Sequence, residues 1–394
     1  MSTRDWRDRC AYVVMIAPNA AVGLTLAAMP PVLPELARVL GSDGTAQFVT
    51  SISGFGMIFG GFFSGRILER TGIRAFTVLS LLIYGICGTL GWFLDGAVPL
   101  EISRFALGMG GVFFSTAALA LTAATFTGEA RSRVIGLQQA TSQVVNVCAV
   151  FIVGALVEIT GWRGAFLLYG VFAALLLALT LAGVREPERP AAKVETTAAP
   201  ATASVNFAWL ITPICALTTL MGILTVIPMA QLPFVLADNG QGTAQQVSVV
   251  LGVNFVFAAI SAMSFARLAA RLGKRMTFIG GLTCGMAGIA LMGFVQGIPA
   301  ACVAAALAGL GTGIYNTYVF DHGVEISPPA YHGRAAGLLF AFMFFGAAIN
   351  PFVTGAFKAW FGLHQSFPVM AAVALLCGLP VLRRRPPPVA TQRA

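Results

Sequence analysis

The stretch GRILERTGIR, residues 65–74, gathers charge in an otherwise apolar chain. Four of its ten residues are charged, whereas only 10% of the whole chain is. Roughly twenty uncharged, mostly apolar residues lie on each side of it, which is the length that a helix needs to cross the hydrocarbon core of a bilayer. The stretch is therefore predicted to be a polar loop between two membrane-spanning helices.

The rest of the chain continues this alternation of apolar segments and short polar breaks. Hydrophobic residues make up 57% of the 394 residues, and the charged fraction is less than half of the about 25% that soluble domains carry. Charged, Pro or Gly residues separate twelve apolar segments of spanning length. These segments are continuously apolar rather than alternating, which argues against a β-barrel. We therefore predict an all-α integral membrane protein with twelve transmembrane helices.

The basic residues fall mostly on one side of the predicted membrane. With the N-terminus placed in the cytoplasm, most of the 24 Lys and Arg residues lie in tails and loops on that side. This positive-inside distribution predicts a multi-pass protein of the inner membrane with both termini in the cytoplasm. It also accounts for the net charge of +9 without a nucleic-acid partner. The seven cysteines form no C-x-x-C pair, so no metal site or cofactor is predicted.

A shift of 201 residues superimposes the second half of the chain on the first. GRILERTGIR then lies over ARLAARLGKR (266–275), LGMG (107–110) over AGLG (308–311), and GWRGAF (161–166) over GLHQSF (362–367). The repeat predicts two six-helix bundles, residues 1–184 and residues 206–394 with a short basic tail, that share one orientation in the membrane. The Pro-, Ala- and Thr-rich segment 185–205 between them is predicted to be a cytoplasmic linker.

Three motifs resemble those of the major facilitator superfamily, and the resemblance covers nearly the whole chain. They are Gly65-x-x-x-Glu69-Arg70-x-Gly72-x-Arg74 after span 2, Arg104-x-x-x-Gly108-x-Gly110-Gly111 in span 4, and Trp162-Arg163 at the start of span 6. The resemblance implies two pseudo-symmetric bundles that work by alternating access. It also implies that the first motif is a gating loop, which latches the bundles together on the cytoplasmic side, and that the second is typical of proton-coupled members.

Within the gating motif, Glu69 is the residue for which a contact can be predicted. It would lie near the N-terminus of span 11, just after Gly333-Arg334. A helix N-terminus has a partial positive charge that attracts a carboxylate, so this contact would favour the state that is closed on the cytoplasmic side. The alternative for Arg70 and Arg74 is that they only set the topology.

Glu101 and Arg104, both in span 4, are the two ionisable residues predicted to lie within a span. Charge at membrane depth is costly, which makes each of them a candidate functional residue. Their i, i+3 spacing allows them to face each other across one helical turn. The alternative for Glu101 is a solvated position at the outer end of the helix.

Neutral polar residues within the spans are candidates for lining a substrate cavity. Gln139, Gln143 and Asn146 share one face of span 5, which should point inward rather than towards lipid. The other candidates are Asn19, Ser115, Asn254, Tyr315, Asn316 and Asn350. With the many phenylalanines nearby they would suit a small amphiphilic molecule, and the alternative is that they hydrogen-bond between helices. Asp321 and His322, which follow span 10, are predicted to lie in a cytoplasmic loop.

These features predict a secondary active transporter, not an enzyme, that binds a small-molecule substrate within the lipid bilayer and functions as a monomer. Proton-coupled export of an amphiphilic molecule is the first hypothesis. Two departures weaken it: Ala149-Val150 stand where exporters of the family often have Gly-Pro, and span 1 has no carboxylate. The alternative is uptake of a small organic solute or anion, with Arg104 as the partner of the anion. A non-transporting receptor or an intramembrane enzyme is a more remote alternative.

Overall fold

The chain folds into long helices. The computed structural model describes residues 3–29, 32, 36, 39–41, 43–184, 207–240, 244–328 and 331–381, and no β-strand occurs among them. The predicted linker 185–205 and the basic tail beyond residue 381 lie outside these described residues.

The described residues before the linker correspond to the first six predicted spans. Their helices are α1 (Thr3–Ile16), α2 (Pro18–Ala27), α3 (Asp43–Thr71), α4 (Ile73–Leu90), α5 (Ala97–Thr125), α6 (Gly128–Thr160) and α7 (Gly164–Gly183). Together α1 and α2 form the first span. The break between them falls at Pro18, which has no N–H to donate to the preceding turn and is well suited to begin a new helix.

The described residues after the linker correspond to the last six predicted spans. They form α8 (Phe207–Asp238), α9 (Ala244–Leu272), α10 (Lys274–Leu291), a 3₁₀ turn (Met292–Phe294), α11 (Ile298–Ile326) and α12 (His332–Val381). Helix α12 contains the last two spans, which meet at Gly362. We call one end of the molecule the basic end. Helices α3, α9 and α11 end there, at Thr71, Leu272 and Ile326, and α6 begins there, at Gly128.

Backbone conformation supports the internal repeat. Gly72, between α3 and α4, has φ of 84°, and its counterpart Gly273, between α9 and α10, has φ of 83°. Gly161 and its counterpart Gly362 have φ of 70° and 76°. A side chain is strained at these angles, so only glycine allows the chain to break at these points with so short a connection. Both halves thus turn at equivalent positions.

Close helix packing follows the same repeat. A side chain at Gly108 of α5 would collide with the backbone carbonyl of Ser53 in α3, and one at the counterpart Gly309 of α11 would collide with the carbonyl of Asn254 in α9. Small residues let membrane helices approach until their backbones touch, which supplies the van der Waals contact that holds such helices together. Span 2 is thereby fixed to span 4, and span 8 to span 10.

The first half meets the second through α3 and α6, which are less apolar than most other spans. Nine helical segments within the described residues are long and apolar enough to cross a membrane, and the last of these, His332–Gly378, contains two predicted spans. Helices α3 and α6 are not among them, although they correspond to predicted spans 2 and 5. They pack against α12 and α9 of the other half, so protein rather than lipid covers much of their surface. Such helices need fewer apolar residues.

Candidate functional site

The opening motif closes the basic end by joining α3 to α12. Arg334, in the first turn of α12, donates two hydrogen bonds to the carboxylate of Glu69, at 2.7 and 2.8 Å. Four residues earlier, Gly65 lies directly against the α12 backbone, where an added Cβ would be 2.5 Å from the Cα of Arg334. Glu69 thus contacts the N-terminus of α12, near which the sequence predicted it to lie.

The prediction that residues 65–74 form a loop is wrong. Helix α3 continues to Thr71 and includes Gly65, Glu69 and Arg70, while Arg74 already belongs to α4. Gly72, with its positive φ, is the only residue between the two helices. Charge marks where a helix leaves the bilayer but does not end it, because the backbone hydrogen bonds of a helix continue equally well in water. Arg70 and Arg74 are exposed on these projecting ends.

A second contact between the halves joins α6 to α11 and was not predicted. Asp321 of α11 has a fully buried side chain that accepts from the Nε of Arg131 at 3.2 Å and from the Ser132 hydroxyl at 2.8 Å, both in α6. Lys274, at the start of α10, lies 2.6 Å from Oδ2 of Asp321, the oxygen that also accepts from Ser132. Glu325 adds a weaker contact to Arg131, at 3.8 Å, and a close one to Lys274, at 2.8 Å.

This network corrects the placement of Asp321 and His322 in a loop, since α11 continues past both of them to Ile326. The repeat offered a signal for it. Ala270 stands where the first half has Glu69, so the second half lacks the acidic residue of its own motif. Asp321 supplies a carboxylate at the same end of the molecule from a different helix.

Arg104 lies in the core of the first bundle. Its side chain is 1% exposed and donates to the hydroxyl of Tyr169 at 2.9 Å and to the carbonyl of Thr25 at 3.0 Å. The guanidinium also lies 5.5 Å from the centre of the Tyr169 ring. Among the described residues it has no carboxylate partner, and its Nε has no acceptor. An isolated buried cation is costly in a membrane protein, so the fold maintains it at the expense of stability.

Glu101 does not pair with Arg104 within the described part of the chain. It is half-buried near the start of α5, whereas Arg104 is turned into the bundle against α2 and α7. The solvated alternative for Glu101 therefore describes its position better than the paired one does.

Most of the first-half cavity candidates form one cluster between α2, α5 and α6. Asn19 donates to the Oε1 of Gln139 at 3.0 Å, and the side-chain amides of Gln143 and Asn146 contact each other at 3.3 Å. Ser115 of α5 donates to the carbonyl of Pro18 at 3.2 Å, so the cluster fixes the start of α2. The Nε2 of Gln139 is buried without a partner in the described residues.

A corresponding cluster lies in the second half between α8, α11 and α12. Asn316 donates to Thr225 of α8 at 3.1 Å, and Asn350 donates to the carbonyl of Ile223 at 2.9 Å. The Oδ1 of Asn350 is buried without a partner among the described residues. Spans 7, 10 and 11 are the repeat counterparts of spans 1, 4 and 5, so the two clusters occupy equivalent places in the two halves.

Asn254 falls outside this cluster, whereas Tyr315 also contacts Thr225, a member of the cluster. The Tyr315 hydroxyl pairs with Thr312 within α11 at 3.0 Å, and the Asn254 amide donates to the carbonyl of Ala305 at 2.9 Å, fixing α9 to α11. Sequence reasoning missed Gln231 of α8, whose amide donates to Thr354 at 3.4 Å while its carbonyl oxygen is buried without a partner in the described chain. An amide in an otherwise apolar span was the available signal.

Comparison with known proteins decides the family. The sequence model of the Major Facilitator Superfamily matches residues 19–237 and 214–394, which together cover most of the chain. The chain belongs to the major facilitator superfamily. It is a multi-pass membrane protein of a transporter family, and the predicted twelve-helix, two-bundle fold is confirmed.

Curated relatives match only part of the chain. The transporter EfpA of Mycobacterium tuberculosis is 27% identical over 179 residues, which are 45% of this chain and 33% of EfpA. The benzoate transport protein of Acinetobacter baylyi is 30% identical over 142 residues, 34% of this chain and 30% of that protein. The multidrug resistance protein Stp of Mycobacterium tuberculosis is 30% identical over 161 residues, 39% and 29% respectively. The matches thus span about a third of the length of these relatives.

Solved structures match almost the whole chain. The human organic anion transporter MFSD10 superimposes with a TM-score of 0.79 at 14% identity, over 95% of this chain and 99% of that one. The proton:xylose symporter XylE superimposes with a TM-score of 0.80 at 16% identity, over 96% of both chains. At such identities the likeness establishes the fold alone.

Proposed function

We propose that this transporter exports small amphiphilic molecules by proton-coupled alternating access. The observation that carries the proposal is Arg104, a buried cation without a carboxylate partner in the described chain, which donates hydrogen bonds to two neighbouring helices. A fixed charge that costs stability at membrane depth is a functional residue by default. The multidrug resistance protein Stp and the methylenomycin A resistance protein of Bacillus subtilis among the relatives favour export.

The two contacts at the basic end would act as the gate of this cycle. Opening that end separates α3 from α12 and α6 from α11, which breaks Glu69–Arg334 and Asp321–Arg131. Lys274 belongs to the same half as Asp321 and stays with it, so the buried carboxylate of Asp321 keeps a cation when this end opens. A gate of this kind can open at moderate cost, because the large penalty for stranding a buried charge is avoided.

Ethidium accumulation in efflux-deficient bacterial cells tests the proposal, with and without a protonophore. The wild type is expected to lower accumulation, and both the protonophore and Arg104→Lys are expected to abolish this effect. Lysine has a compact ammonium that cannot reach both acceptors in the fork geometry of a guanidinium. Arg163→Lys is the matched control, because Arg163 is at the opposite end and part-exposed. Unchanged accumulation with the wild type in the membrane would refute broad export.

Uptake of a small organic anion is the second candidate, because an unpaired buried arginine would also suit a carboxylate. The benzoate transport protein among the relatives favours it. Uptake of radiolabelled benzoate into cells expressing the wild type and Arg104→Lys distinguishes the two. Saturable uptake that the variant loses would replace export by import as the proposed direction.

A further inference from the structure

A groove on the surface of the first bundle lies away from the proposed gate and from the polar clusters. It runs between α4 and α7 and has a volume of about 410 Å³. Thr89 is its one polar lining residue, and the Thr89 hydroxyl already donates to the carbonyl of Gly85 at 2.8 Å. The groove therefore offers hydrocarbon surface and no free hydrogen-bonding side chain, which suits an apolar occupant.

The depth of the groove comes from small residues on its floor. A Cβ on Gly85 of α4 would be 2.7 Å from the Cβ of Ala173 in α7, and one on Gly170 would collide with the Thr89 hydroxyl. The helices are therefore in direct contact at the floor. Ile86 and Phe93 project as exposed rims, 58% and 70% accessible.

The internal repeat shows that this groove belongs to one half. The shift of 201 residues places Met286 on Gly85 and Leu375 on Ala174, both groove positions. Met286 is only 1% exposed, so its side chain is packed into the second bundle. The second half thus has larger side chains at the positions that correspond to Gly85 and Ala174.

We propose that the groove binds one acyl chain of a phospholipid from the leaflet opposite the basic end. The protein is a multi-pass membrane protein, and the exposed rims are apolar, so lipid covers this face. From Leu81 to Leu90 the groove follows about 14 Å of helix at 1.5 Å per residue. That is about half of the 30 Å hydrocarbon core, the depth of a single leaflet. It ends at Phe93, an exposed aromatic residue just beyond the end of α4.

Photocrosslinking tests this site directly. The full chain would be reconstituted in vesicles of phosphatidylethanolamine and phosphatidylglycerol that contain a trace of phosphatidylglycerol with a diazirine at mid-acyl chain, and crosslinked peptides would be identified by mass spectrometry. Label is expected on residues 81–93 and 170–177 at least fivefold above the counterpart face, residues 282–294 and 371–378. Even labelling of the two faces would overturn the proposal.

A groove-filling variant provides the second arm. Ala174 is exposed at the groove, so Ala174→Leu fills it without a clash in the core and is expected to reduce labelling there about fivefold. Ala287→Leu is the matched control, the same change at an exposed residue of α10 in the other half, and should leave labelling at the groove unchanged. Equal labelling of the groove in wild type and Ala174→Leu would show that lipid only passes over this face, and would also overturn the proposal.

Discussion

Neutralising Asp321 should open the basic end of the transporter. Asp321→Asn keeps the size of the side chain and an oxygen that can accept from Ser132, but removes the charge that holds Arg131. Of the two cations on this carboxylate, only Arg131 belongs to the other half. The variant therefore weakens the contact that differs between the closed and the open state.

The free-energy change caused by Asp321→Asn depends on which contacts of the ion-pair network remain in the variant. Removing one partner of a buried ion pair typically costs about 3–5 kcal/mol. Here Arg131 retains Glu325 at 3.8 Å, Lys274 retains Glu325 at 2.8 Å, and the asparagine retains a neutral hydrogen bond. The closed state therefore loses only the difference in free energy between a charged and a neutral hydrogen bond from Arg131 to residue 321, about 1–2 kcal/mol. The open population should rise roughly 5- to 30-fold relative to the closed one.

Distance measurement between spin labels checks this shift. Thr71 of α3 and Met276 of α10 are exposed at the basic end in different halves, and neither belongs to the ion-pair network. Labelled as cysteines in a cysteine-free background, they should show a longer distance population in Asp321→Asn. Asp95→Asn is the control, because Asp95 pairs with Arg163 within the first half only.

Two results would refute the reasoning. One is a distance distribution in Asp321→Asn that matches both the wild type and Asp95→Asn. The other is an Arg131→Gln variant that stays closed while Asp321→Asn opens, because Arg131, unlike Lys274, contacts Asp321 from the other half.

The same geometry makes two further predictions. Lys274→Met should shift the labels towards the closed distance, the opposite of Asp321→Asn. Without Lys274, opening would leave Asp321 with no cation from its own half. A longer distance would contradict the role of Lys274 as the cation that stays with Asp321. Gly65→Ala should lengthen the distance, since its Cβ would be 2.5 Å from the α12 backbone, whereas Gly54→Ala in the same helix, with open space around it, should not; equal effects of the two would show that the contact at Gly65 is unimportant.

The sequence predicted the architecture because the bilayer imposes a simple rule. Each crossing needs about twenty apolar residues in a helix, so composition alone indicates where helices cross. The repeat was equally readable, since Gly72 and Gly273 stand at matching breaks and both have positive φ. Glu69 could be placed near the N-terminus of span 11 from its motif, whereas the side chain that pairs with it, Arg334, became known only from the structure.

What the sequence by itself determined was therefore local: span positions, the repeat and the side of the positive charges. Which helix supplies a charge to which neighbour was decided by the tertiary structure. Asp321 and Arg131 are 190 residues apart, and Arg104 and Tyr169 are 65 apart. Contacts between such residues depend on how each helix is rotated about its axis, and that rotation is set by packing against several other helices at once. No periodicity within a single span specifies it.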